Sequence, residues 1–86
     1  MRVVVTVAGF DRPGIVAGIT EALASLNANI VKARASSLLN LFVMIMLVDV
    51  SGLKVPLKVL EDVLKERGNE IGVGVSIETE DGFLKE

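Results

Sequence analysis

The sequence predicts an α+β sandwich of ferredoxin-like kind, a four-stranded antiparallel sheet with two helices on one face. Three observations carry this reading. Runs at residues 2–8, 30–38, 41–50 and 73–79 are β-branched or alternate in the two-residue period of strands. Runs at 13–26 and 54–67 repeat their apolar residues at helical spacing. The resulting order is β-α-β-β-α-β, and right-handed crossovers then place the first and third strands at the centre of the sheet.

Each element has a local reason. RVVVTVA at 2–8 is β-branched, with Val3, Val5 and Val7 on one side and Val4, Thr6 and Ala8 on the other. In 13–26, Ile15, Val16, Ile19, Ala22, Leu23 and Leu26 form one apolar face. Pro13 suits a first helical turn, Gly14 leaves the backbone there bare, and Asp11 is placed to cap the unpaired amides. Gly18, one turn on, lets the helix approach a neighbour closely. Asn27, Ala28 and Asn29 stop the helix and turn the chain. The strand at 30–38 alternates Val31, Ala33 and Ala35 with Lys32, Arg34 and Ser36, as a half-exposed edge strand does.

Leu39-Asn40 is a hairpin turn without glycine, and Ser51-Gly52 ends the strand at 41–50, with Asp49 as a turn acceptor. In the second helix Leu57, Leu60, Val63 and Leu64 face inward and Lys58, Glu61, Asp62, Lys65 and Glu66 face water. Gly68-Asn69 is expected to end it. The whole of 1–86 reads as one domain, with a core of about 2–79 and a short, loosely held acidic tail at 80–86.

Composition narrows the function. Net charge is −2, no basic run occurs, and the only aromatics are three phenylalanines, so the chain lacks the basic face and stacking residues of a nucleic-acid binder. It has no His, Cys, Tyr or Trp, which removes the usual general base, the soft metal ligands and most nucleophile–base pairs. No cofactor, metal site or catalytic residue is expected. The acidic group Glu78, Glu80 and Asp81 reads as a solvated end. The apolar run at 41–48 is far shorter than the roughly 20 residues of a membrane helix. The N-terminal residues lack a leader pattern, so no membrane association and a cytoplasmic setting are expected. Other tenants of this fold do not fit. A heavy-metal carrier needs a cysteine pair, an RNA-recognition motif needs aromatics on its central strands, and DRPG is not a phosphate-cradling loop.

The stretch VTVAGFDRPGIVAGITEALASLNANI, together with FVMIMLVDVS in the third strand, resembles the ACT domain, a small regulatory module. The resemblance covers about residues 3–79. It is nearest to small stand-alone ACT proteins without an enzyme domain, which are similar to the modules of glycine-cleavage transcriptional regulators. It implies a non-catalytic regulatory function: binding a small molecule, an amino acid above all, at a subunit interface. It also implies a site made from Asp11, Arg12 and Gly14 of the first loop and Asn27, Asn29 and Ile30 at the entry to the second strand. Amides near Gly14 would meet a carboxylate, Asp11 and Asn29 an ammonium group, and Arg12 would act as a rim charge or a second carboxylate contact. Each residue also has a purely structural reading: Asp11 as a cap, Asn27 and Asn29 as turn formers, Arg12 as a solvated charge. The alternative function is a protein–protein interaction or oligomerisation module with no small-molecule ligand.

The third strand is apolar on both sides, Phe42, Met44, Met46 and Val48 against Leu41, Val43, Ile45 and Leu47. Helices cover only one face of such a sheet, so one set is left for another surface. A homo-oligomer, most simply a two-fold dimer, is therefore expected, with Phe42, Val43, Met44 and Met46 as candidate interface residues.

Overall fold

The alternation of the two central strands decides the layering. In the computed structural model, which describes residues 1–84, β1 (Arg2–Phe10) and β3 (Leu41–Asp49) pair antiparallel through nine consecutive residue pairs. Val3, Val5 and Val7 lie beside Val48, Met46 and Met44, and all six are buried on one face. That face is covered by α1 (Ile15–Ser25), through Ile15, Ile19, Ala22 and Leu23, and by α2 (Leu57–Ile71), through Leu60 and Leu64. Each fully buried side chain of this size contributes about 1.5–3 kcal/mol. β2 (Asn29–Leu38) and β4 (Val73–Thr79) complete an antiparallel sheet in the order β2-β3-β1-β4. The order βαββαβ, the central strands and the helices on one face agree with the sequence reading. No helix among the described residues is long and apolar enough to cross a membrane.

The register also says which side of β3 meets the helices. Phe42, Met44 and Met46 are buried in the core at 8%, 3% and 1% exposure, so three of the four candidate interface residues are unavailable to a partner. Val43, at 48%, is on the open face with Leu41, Ile45 and Leu47. On this face Leu38, Leu41 and Phe10 sit in one row across β2, β3 and β1, and all three are exposed.

Four local expectations are corrected. First, α1 begins at Ile15 and not at Pro13, because Gly14 is left-handed (φ 90°) and breaks helical geometry before it. Second, α2 begins after Pro56, since a residue preceding proline is pushed out of the helical region. Third, α2 does not stop at Gly68-Asn69. Gly68 is buried inside the helix, where a Cβ would lie 2.7 Å from Val75 Cγ2 and 2.9 Å from the Val73 carbonyl oxygen. Its role is close approach of helix to strand; the stop is Gly72, at φ 93°. Gly18 serves the same purpose between helices, as its position suggested: a Cβ there would lie 2.5 Å from Ile71 Cδ1. Fourth, the tail is not loose through its described part. Residues Glu80–Leu84 form a short helix, α3, anchored by Arg2, whose Nε and Nη2 each donate to a Glu80 carboxylate oxygen at 3.0 Å. Lys85 and Glu86 lie outside the described residues.

The hairpin turn at Leu39-Asn40 is present, and its strain is visible: Leu39 takes φ 57° while its side chain is 94% exposed. The Asn40 carbonyl accepts from the Asp11 amide at 2.8 Å, tying this hairpin to the loop after β1. At the other end of β3, Asp49 Oδ1 accepts from the amide (2.9 Å) and hydroxyl (2.6 Å) of Ser51, the turn-acceptor role expected for it. The Ser51 hydroxyl and then its amide hold the Asp49 carboxyl below the ordinary 3.8.

Two outcomes follow from these turns. Leu39→Gly relieves left-handed strain at the cost of some backbone entropy, and should raise stability by about 0.5–1 kcal/mol. A higher urea midpoint at unchanged slope is the check. Ser51→Ala should move the Asp49 pKa up toward 3.8 in a carboxylate NMR titration. Because the folded value is depressed, Asp49 stabilises the fold at pH above 3.8 and loses that contribution as pH falls through its lowered pKa. The variant should therefore lose less stability than the parent over that acidic window.

Candidate functional site

The loop after β1 presents an open helix start. Gly14 is the N-cap of α1, its carbonyl accepts the first helical bond from Gly18 N at 2.9 Å, and no side chain caps the turn. A Cβ built on Gly14 would meet nothing within 4 Å, so the space before the helix is clear. The first-turn amides are therefore offered to a ligand of negative charge. Asp11, expected as a possible cap, does not cap. Its Oδ2 instead accepts from the Ser37 hydroxyl at 3.2 Å, near the end of β2. That leaves an exposed carboxylate beside an uncapped helix start, the pairing that suits an ammonium and a carboxylate on one molecule.

Arg12 points elsewhere. Its guanidinium lies against Gly72, where a Cβ would fall 2.9 Å from Nη1 and 3.1 Å from Cζ. Gly72 suits its φ of 93°, whereas the crowding by Arg12 is a lesser demand, since the end of that exposed side chain can move aside. The guanidinium stands at the junction of α2 and β4, on the rim of the loop.

The second group of residues lies at the far end of the sheet. Asp11 follows the last residue of β1, whereas Asn29 pairs with Asp49, which pairs with Arg2 at the start of β1. A nine-residue strand, roughly 25 Å long, separates the two ends. The structure therefore does not bring Asp11, Arg12 and Gly14 together with Asn27, Asn29 and Ile30 in one chain.

Asn27 is absorbed by the fold. It adopts φ 64°, its amide donates to Ala24 O (3.1 Å), and the next amide, of Ala28, donates to Leu23 O (3.0 Å). This is a Schellman helix ending with asparagine where glycine is usual. Its Nδ2 also donates to Gly52 O at 2.8 Å, fastening the end of α1 to the loop after β3. Asn29 is exposed and Ile30 is partly buried against the core. A β-bulge follows: Ile30 pairs with Val48 and Lys32 with Leu47, so Val31 is the extra residue. Alternating residue types carry no sign of it, because a bulge changes the register without changing residue type. Of the acidic group at the end of the chain, Glu80 is taken by Arg2, and no cluster of three metal-ligating side chains occurs among the described residues.

Asn27→Ala removes both the left-handed tolerance and the bond to Gly52, and should cost about 1–2 kcal/mol. Asn27→Gly restores the backbone freedom alone and should recover part of that loss, as read from denaturant midpoints of the three proteins.

A family model of the ACT domain matches residues 1–78. A UPF0237 protein of Methanocaldococcus jannaschii is 51% identical over 82 residues, covering 95% of this chain and 91% of that protein. An ACT domain protein from Streptococcus pneumoniae has a solved structure that superposes with a TM-score of 0.83 at 30% identity, over 96% of this chain and 93% of that one. A candidate glycine cleavage system transcriptional repressor superposes with a TM-score of 0.76, over 90% of this chain and 44% of that one. At 23% identity it shares the fold alone. The sheet order, the loop at residues 11–14 and the sequence match converge, and the chain belongs to the ACT domain family.

Proposed function

We propose that this protein is a non-catalytic regulatory module that binds an amino acid at the boundary between two copies of the chain. The observation that carries the reading is the uncapped start of α1 at Gly14 beside the exposed Asp11 carboxylate. Helix amides there suit the ligand's carboxylate and Asp11 suits its ammonium group.

The separation of the two residue groups supports a shared site. β2 is an edge strand, so its outer side is open to pairing. Two copies joined along β2 about a two-fold axis run antiparallel, which lays the start of one β2 beside the end of the other. Ser37, at that end, already holds Asp11. The bulge at Val31 leaves residues 32–38 as the regular run for pairing, and carries Asn29 and Ile30 past the partner's hairpin toward its loop at 11–14. In this arrangement Asn29 and Ile30 complete the pocket, Arg12 is a rim charge, and Asn27 sets the turn that aims them. Edge pairing extends the sheet without covering its open face, so the exposed Phe10, Leu38, Leu41 and Val43 call for a further contact beyond it.

The test begins with the 20 amino acids in a thermal-shift screen. A true ligand stabilises by RT ln(1 + [L]/Kd), about 2.7 kcal/mol at a hundredfold excess over Kd. Two variants then address the shared site. Gly14→Asn fills the open space with a residue that tolerates positive φ, which valine does not. Asn29→Ala strips the other half. Each alone should lose binding, and an equal mixture allowed to exchange subunits should regain about a quarter of the parent's capacity, since half the dimers then hold one intact site. No recovery on mixing sinks the shared site. A screen in which no amino acid shifts the melting point favours pairing without a ligand, a module whose exposed row of Phe10, Leu41 and Leu38 meets another protein.

A further inference from the structure

The open face of the sheet carries a second concavity, away from the loop at residues 11–14. A groove of about 260 Å³ lies where α3 crosses this face. Its floor is Val4, Ile45 and Leu47, Phe83 forms one wall, and Lys32 and Arg34 line the β2 side. The register explains the arrangement. Lys32 pairs with Leu47 and Arg34 with Ile45, so both cations emerge on the same face as the apolar floor. Val4, beside Leu47 and on the same face, is only 7% exposed.

Among the described residues the free charge at the groove is of one sign. Glu80 also lines it, but both of its oxygens are bound by Arg2. Among the described residues neither Lys32 nor Arg34 forms an ion pair. Two cations without an ion-pair partner among the described residues thus stand beside an apolar surface in a chain whose net charge is −2. A floor of this kind disfavours a fully hydrophilic anion, and the cations disfavour an apolar amine. Residues two apart on a strand are roughly 6.6 Å apart, close enough for one carboxylate to meet both side chains. The volume falls just below that of pockets for drug-sized molecules.

We propose that this groove binds an apolar carboxylate of moderate size, with its tail on Val4, Ile45 and Leu47 against Phe83 and its carboxylate at Lys32 and Arg34. The site does not depend on the amino-acid reading above, because it uses neither the helix start at Gly14 nor Asp11.

Octanoate is a suitable probe, with octanol and octylammonium as controls, followed by backbone amide shifts of the full chain. Octanoate should give saturable shifts at Lys32, Arg34, Ile45, Leu47 and Phe83, and octylammonium should bind about tenfold or more weakly by comparison. Lys32→Gln combined with Arg34→Gln changes only exposed side chains. It should weaken octanoate about tenfold while leaving octanol nearly unchanged. Phe83→Ala should weaken both, and Gly14→Asn neither. The proposal is overturned if octanoate gives no saturation at these amides below its micelle concentration, or if octylammonium binds as well. It is equally overturned if dilution of the protein alone moves the same amides, which would make a second copy of the chain the occupant.

Discussion

The nine-residue pairing of β1 with β3 is the constraint on which the rest of this molecule depends. It fixes which side of each central strand is apolar core and which side is open face. It also sets the distance between the two ends of the sheet. Once Val3, Val5 and Val7 stand beside Val48, Met46 and Met44, both helices must cover that face, because no other surface can bury six such side chains at once. A slip of one residue would exchange this set for Val4, Thr6, Leu47 and Ile45, and would put the loop at residues 11–14 out of line with the end of β2.

The glycines and turns serve this layering. Gly18 lets α1 meet α2, and Gly68 lets α2 meet β4; in both places a Cβ would collide with a neighbour. Gly14 and Gly72 have a different task, since each takes a left-handed backbone at the edge of a helix. One result is that the first turn of α1 starts abruptly and without a side-chain cap. A stability-minded design would cap it. The open helix start next to Asp11 is the feature on which the proposed amino-acid site rests.

The open face has two characters. One end is a row of exposed apolar side chains, Phe10, Leu41 and Leu38. The other is partly roofed by α3 and flanked by Lys32 and Arg34. The roof exists because Arg2 holds Glu80 bidentately at the first residue of α3, which directs Phe83 back across the sheet. The face that a two-layer sandwich leaves bare is therefore covered in part by the chain itself.

The sequence by itself determined the element order, the fold class, most of each helix's apolar stripe and the turns at Asn27-Ala28-Asn29, Leu39-Asn40 and Ser51-Gly52, because these follow from periodicity and from residues with restricted backbones. The DRPG loop and the strand that follows Asn29 were legible for the same reason, and with them the family. Tertiary structure alone decided four matters. Both faces of β3 are apolar, so only the register could show that Phe42, Met44 and Met46 are core and Val43 is open. Gly68 looked like a helix stop, because a glycine needed for close approach has the same composition as one needed for a turn. Asp11 and Asn27 had plausible partners in sequence, but their bonds go to Ser37 and Gly52, residues distant in the chain. The family resemblance groups the two halves of the candidate site, yet β1 and β2, each antiparallel to β3, run parallel to one another, so the helix between them joins opposite ends of the sheet. That separation is a property of the path of the chain in space, and no local pattern of residues encodes it.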